Sequence, residues 1–110
     1  MIDTQFTYEG SYANPIYETT AGYFMIDKSL LKELRPGQYP DAEHGEICVE
    51  YPSKHPEVYM TTVTISPSKD GSDFDWTDIE LPYEIIEVLI NIIEMHTKEI
   101  YIFAAMMKMV

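Results

Sequence analysis

Two sets of side chains in this sequence could do chemistry. His44, Cys48 and His55 are of the types that bind transition metals. Between Asp70 and Thr97 stand eight carboxylates, Asp70, Asp73, Asp75, Asp78, Glu80, Glu84, Glu87 and Glu94, of the type that binds hard cations, carries protons or imitates phosphate. Spacing sorts these chemistries. A zinc signature needs paired short spacings, and His44, Cys48 and His55 have none. A calcium loop of the EF-hand type needs glycine at its sixth position and a bidentate glutamate at its twelfth. Counted from Asp73, the sixth position is Asp78; counted from Asp70, it is Asp75. The sequence therefore predicts no metal site and no cofactor.

Nucleophilic catalysis fares no better. Cys48 alternates with Glu46 and Glu50 on one side of a strand pattern, and their charge raises a thiol pKa instead of activating it. No serine or threonine sits in a nucleophile elbow, and the five glycines are scattered through turns with no phosphate-cradling loop. His96 falls on the apolar side of a helix pattern, where a hydrogen-bonded core or edge histidine is expected. No catalytic residue is predicted and the chain reads as a non-enzyme. One enzymatic alternative stays open, a small hydrolase using carboxylates and a metal, because such a pair is defined by separation in space.

What remains is charge. From Asp70 to Thr97 there is no lysine or arginine, within a chain of net charge -12. Such a surface repels nucleic acid and anionic membrane and attracts basic proteins. If Phe74 to Ile79 forms a strand, Asp73 and Asp75 share a face at about 6.6 Å, a pitch like that of backbone phosphates, while Phe74 and Trp76 face the core. The expectation is a protein-binding module whose acidic strand–helix face, Asp73, Asp75, Asp78, Glu80, Glu84 and Glu87, engages a basic partner surface. Its sharpest form is a nucleic-acid-mimicking inhibitor of a nucleic-acid-binding protein, of the anti-restriction or anti-CRISPR type found in phages and mobile elements. The rival is a structural or accessory homo-oligomer whose acidity only maintains solubility.

These residues need elements to position them, and the pattern predicts an α+β domain. A mostly antiparallel sheet from the N-terminal two-thirds packs against a long C-terminal helix, with one short helix near 28–34. Thr4–Tyr8 alternates polar and aromatic and ends at Gly10–Ser11; Ala13–Ile16 is a turn around Asn14 and Pro15; Gly22–Ile26 is extended. Asp27 is placed to cap a helix over Lys28–Leu34, with Leu30, Leu31 and Leu34 on one face and Pro36–Gly37 as the stop. Glu46–Tyr51 alternates, with Ile47, Val49 and Tyr51 on one side. Val58–Ile65 follows as the antiparallel partner, then a turn over Ser66–Gly71. Pro82 opens the last helix, whose polar stripe is Glu84, Glu87, Asn91, Glu94 and Lys98.

At 110 residues and 45% apolar content the chain is read as one domain, 1–110, able to close a core unaided. A single cysteine forms no internal disulfide, and Met1–Gln5 shows no leader pattern, so a cytoplasmic setting is expected. Charges interrupt the apolar run from Ile85 to Met107, which excludes a simple membrane span. Nine tyrosines and seven methionines suit both a core of amphipathic rings and a binding face. Ile100 to Met107 carries no charge. On a helix it is apolar nearly all round, which predicts a homodimer through Ile100, Phe103, Met106 and Met107. The alternative is a final strand over Ile100–Phe103.

Overall fold

The α+β expectation is met by a five-stranded antiparallel meander in the order β1-β2-β3-β4-β5, with helices on one side. The structure, a computed structural model, describes residues 5–68 and 75–108, with side chains over 5–67 and 75–97. Its elements are β1 (Phe6–Asn14), β2 (Thr19–Asp27), α1 (Lys28–Leu34), β3 (His44–Pro52), β4 (Thr62–Ser68), β5 (Thr77–Asp78) and α2 (Tyr83–Lys108).

Local chemistry explains most of the boundaries. Asn14 closes the first hairpin because its Oδ1 accepts from the Ile16 N–H at 3.0 Å and from the Tyr17 N–H at 3.3 Å. Asp27 caps α1 as expected, its Oδ1 accepting from Leu30 N at 2.9 Å. Two carbonyl bonds start α2: Ile85 N and Ile86 N both donate to the Pro82 oxygen, so Pro82 sits at the entry to the helix.

Register then decides the layers. The pairs Phe6↔Ile26, Phe24↔Ile47, Ile47↔Ile65 and Val49↔Val63 put these side chains on the same face of the sheet. All of them are buried, and Leu30 and Leu31 of α1 join them with Ile86, Leu89, Ile90 and Ile93 of α2. Both helices cover that one face. Gly22 is where α2 comes closest, since a Cβ added there would run into Cδ1 and Cγ1 of Ile93. On α2 the expected division holds over the described side chains. Glu84, Glu87 and Asn91 are exposed, Glu94 is half-buried, and Ile86, Leu89 and Ile93 are buried.

Four expectations need correcting. The first strand does not end at Gly10; it continues to Asn14 through a bulge between Tyr8 and Gly10. Gly10 takes φ 147°, open to glycine without a Cβ penalty, and this lets the strand kink and go on. Val58–Ile65 is not one strand, because Val58–Met60 forms a 3-10 turn and β4 begins at Thr62. There the Thr61 hydroxyl donates to the Glu57 oxygen at 2.6 Å, holding the turn closed. Ser66 does not begin the turn expected there, since β4 runs on to Ser68, and the rest of that turn, 69–71, lies outside the described residues. Finally, of the strand expected over Phe74–Ile79, Phe74 lies outside the described residues and only Thr77–Asp78 of the rest forms a strand. The strand alternative for Ile100–Phe103 is likewise replaced, as α2 runs through these residues.

Candidate functional site on the open face of the sheet

The face turned away from the helices is built by the alternate residues of each strand. Tyr12 and Asn14 come from β1, Ala21, Tyr23 and Met25 from β2, Glu46, Cys48 and Glu50 from β3, Thr62, Thr64 and Ser66 from β4, and Asp78 from β5. No lysine or arginine stands among these positions. Aromatic rings lie across them. Tyr12 stacks on Tyr23 with centroids 6.0 Å apart, and Trp76 meets Tyr23 edge-on at 6.0 Å and 64°.

A cleft of about 560 Å³ opens on this face, lined by Glu9, Gly10, Tyr23, Glu46 and Trp76. The β1 bulge makes it. Glu9 is the extra residue, unpaired between Tyr8↔Phe24 and Gly10↔Tyr23. Gly10 leaves a gap with nothing within 4 Å of where a side chain would begin. Strands β1 and β3 flank β2, roughly 10 Å apart, and the Glu9 and Glu46 side chains both line the cleft between them. Glu46 is 9% exposed. Burial first, then the hydrogen bond to Glu9 and its charge, push the Glu46 pKa up to about 8. The shift favours the protonated Glu46 carboxyl well above the usual carboxylate range.

Neighbouring groups follow the same logic. Burial pushes the Cys48 thiol up and Glu50 adds to this, while hydrogen bonds with Tyr23 and Thr64 oppose it. The thiol is protonated and not an activated nucleophile, as its place between Glu46 and Glu50 implies. The Tyr23 hydroxyl is also raised, by burial and then by its hydrogen bond with Tyr12. Ser66, fully buried, has an Oγ that accepts from the Asp75 N–H at 2.7 Å. Trp76, the next residue, lies on this face beside Tyr23. Trp76 was expected in the core; it lies instead on the open face, 38% exposed.

The acidic residues singled out in the sequence are distributed differently from a single strand–helix face. Asp75 and Asp78 are exposed, and the pairing Thr64↔Asp78 turns Asp78 towards the open face. Glu80 is exposed in the link to α2. Glu84 and Glu87 are exposed on α2, which packs on the opposite face. Asp73 lies outside the described residues. The even row of same-face carboxylates needs a longer strand than Thr77–Asp78 supplies. Ile100, Phe103, Met106 and Met107 fall within α2, and their side chains lie outside those described.

His44 and Cys48 share a face of β3 but are four residues, about 13 Å, apart, and His55 lies beyond the end of the strand. Among the described residues no three His, Cys, Asp or Glu side chains converge as metal ligands. His96 stacks on Tyr8, centroids 4.2 Å apart and planes within 7°, which gives it the edge-of-core place expected. No helix among the described residues is long and apolar enough to cross a membrane.

Sequence reasoning placed Glu46 beside Cys48 but missed Glu9, Gly10 and Tyr23 as parts of one site. The available signal was an isolated glycine within a strand-forming run, Phe6 to Ala13, which marks a bulge. No protein-family model, no curated protein and no solved structure matches this chain.

Proposed function

We propose that this protein is a non-enzymatic binding module that engages a basic protein surface through the open face of its sheet. One observation carries the reading. A whole sheet face bears carboxyl groups and aromatic rings with no lysine or arginine in its register, while the opposite face is filled by helices. Rings contribute contact area and hold cations, and carboxylates select them. The sharper form is an inhibitor that occupies the groove of a nucleic-acid-binding protein, with Asp75 and Asp78 at the rim standing for phosphates. Glu84 and Glu87, on the other side of the sheet, would serve a second contact.

Competition tests this. The protein is titrated into a panel of DNA-binding enzymes, each carrying a labelled duplex, at several salt concentrations. Release of the duplex, weakening steeply as salt screens charges beyond about 8 Å, supports the reading. Displacement that is equally strong with Asp73→Asn/Asp75→Asn/Asp78→Asn rejects the phosphate mimic, and failure to displace across the panel rejects the inhibitor.

A second reading, self-association, is favoured by the helical backbone of Ile100–Met107, which removes the strand that would have buried these uncharged residues within the sheet. Phe103→Glu is expected to convert a dimer to a folded monomer in sedimentation. A wild-type chain that is monomeric at high micromolar concentration overturns the dimer.

A further inference from the structure

We infer that the cleft on the open face receives an arginine side chain from a protein partner, its guanidinium held by the Glu9 and Glu46 carboxyl groups and covered by the Trp76 and Tyr23 rings. This inference rests on the reading of the face as a surface for basic proteins and names the group that anchors there.

The cleft has the parts a guanidinium needs. Gly10 leaves its floor open, Glu46 stands at its base and Glu9 reaches in from the bulge. Trp76 and Tyr23, inclined at 64°, wall it with ring surface. A guanidinium is planar, offers five donors in a fixed fork, stacks on aromatic faces and sheds water more readily than an ammonium. Carboxyl groups flanked by rings in a half-enclosed site therefore select arginine over lysine.

The cleft brings the Glu9 and Glu46 carboxyl groups together, and burial with Glu9 beside it favours the protonated form of Glu46. Entry of a guanidinium replaces that proton: Glu46 releases it to solvent, and the cation takes over as hydrogen-bond donor to both groups. One proton leaves for each arginine bound, and no covalent bond changes. The other titratable groups on this face are Tyr12 from β1, Tyr23 from β2, His44, Cys48 and Glu50 from β3, and Asp78 from β5. The Tyr23 hydroxyl and Cys48 thiol are both raised and stay neutral across the neutral range, so neither supplies the proton, and the Glu46→Gln variant distinguishes the Glu46 proton from one on His44.

Trp76 is the one tryptophan in the chain, so its emission reports on this cleft. The experiment titrates the full chain with the peptide acetyl-Gly-Arg-Gly-amide, and with its lysine and citrulline counterparts, between pH 6 and 9. The expected result is a saturable change with the arginine peptide. Its affinity rises about tenfold from pH 6 to 7 and levels off above about 8, as required when one proton must leave. Calorimetry in two buffers of different protonation enthalpy should give close to one proton released at pH 6–7. Glu46→Gln should remove the pH dependence and weaken binding roughly tenfold, and Glu9→Gln, at an exposed position, should weaken it without touching the fold. Equal binding of citrulline, pH-independent binding, or no saturable change at any pH overturns the arginine site. A basic protein that binds wild type and Glu46→Gln alike, yet fails with Asp75→Asn/Asp78→Asn, would also remove the anchor while keeping the acidic-face reading. Arginine-peptide binding without displacement of any duplex would support the anchor and reject the inhibitor.

Discussion

The two faces of this sheet are made by the same strands, and neighbouring residues on one strand end in opposite environments. On β3, Ile47, Val49 and Tyr51 are essentially buried beneath the helices, while Cys48 and Glu50 between them remain partly exposed. The covered face is filled by aliphatic and aromatic side chains in contact, Phe6, Phe24 and Tyr51 among them. The open face carries rings, hydroxyls and carboxyl groups, with a bulge, a cleft and a carboxyl group whose pKa is pushed up by burial. Stability on the first face comes from excluding water and filling volume. The second retains polar and aromatic surface that adds little to folding, which is what a recognition face requires.

The contrast is most exposed to failure at Leu89, which is fully buried where α2 meets the sheet. Leu89→Ala should lower unfolding stability by about 2–5 kcal/mol in urea titration, the cost of lost burial plus a cavity. A loss under about 1 kcal/mol would mean that the helix is not seated on this face.

Gly22→Ala tests the closest approach between layers. An added methyl meets Ile93, and the overpacking should cost about 1–3 kcal/mol. Ile93→Val in that background should recover part of the loss, with an interaction of at least ~0.5 kcal/mol in a double-mutant cycle. Strict additivity would break the assignment of Gly22 to the helix contact.

Glu46 sharpens the comparison through pH. Its pKa is raised in the folded protein from 4.5 to about 8, so the folded state holds a proton that the unfolded chain gives up. The contribution of Glu46 to stability is fully present below about pH 4.5, declines as pH rises towards 8, and is gone above it. The melting temperature of wild type, relative to Glu46→Gln, should therefore fall between pH 5 and 8 and then flatten. A difference that stays constant over this interval would show that Glu46 has an ordinary pKa.

The smallest effect is expected at Tyr12, 54% exposed and stacked on Tyr23. Tyr12→Ala should cost no more than about 1 kcal/mol, the scale of one cross-strand pair. A loss as large as that of Leu89→Ala would make the open face part of the core and erase the distinction.

Features set by near neighbours along the chain were readable directly. Asp27 caps α1 because its carboxylate needs only the N–H three residues on, at Leu30. The alternation of Ile47, Val49 and Tyr51 announces a two-sided strand, and the spacing of Ile86, Leu89 and Ile93 announces the helix that covers it. Periodicity says that an element has two faces, and burial needs decide which one the apolar residues take. Tertiary structure decided the rest. Trp76 could pack on either side of the sheet, and it lies on the open face beside Tyr23, next to Asp75, whose N–H meets the Ser66 hydroxyl nine residues away. Glu9 and Glu46 lie 37 positions apart and become neighbours only because β2 runs between them and a bulge at Gly10 re-aims one of them. The environment that raises the Glu46 pKa exists only once those strands have paired, because burial and a partner's proximity are properties of the packed sheet and not of the residues beside Glu46 in the chain.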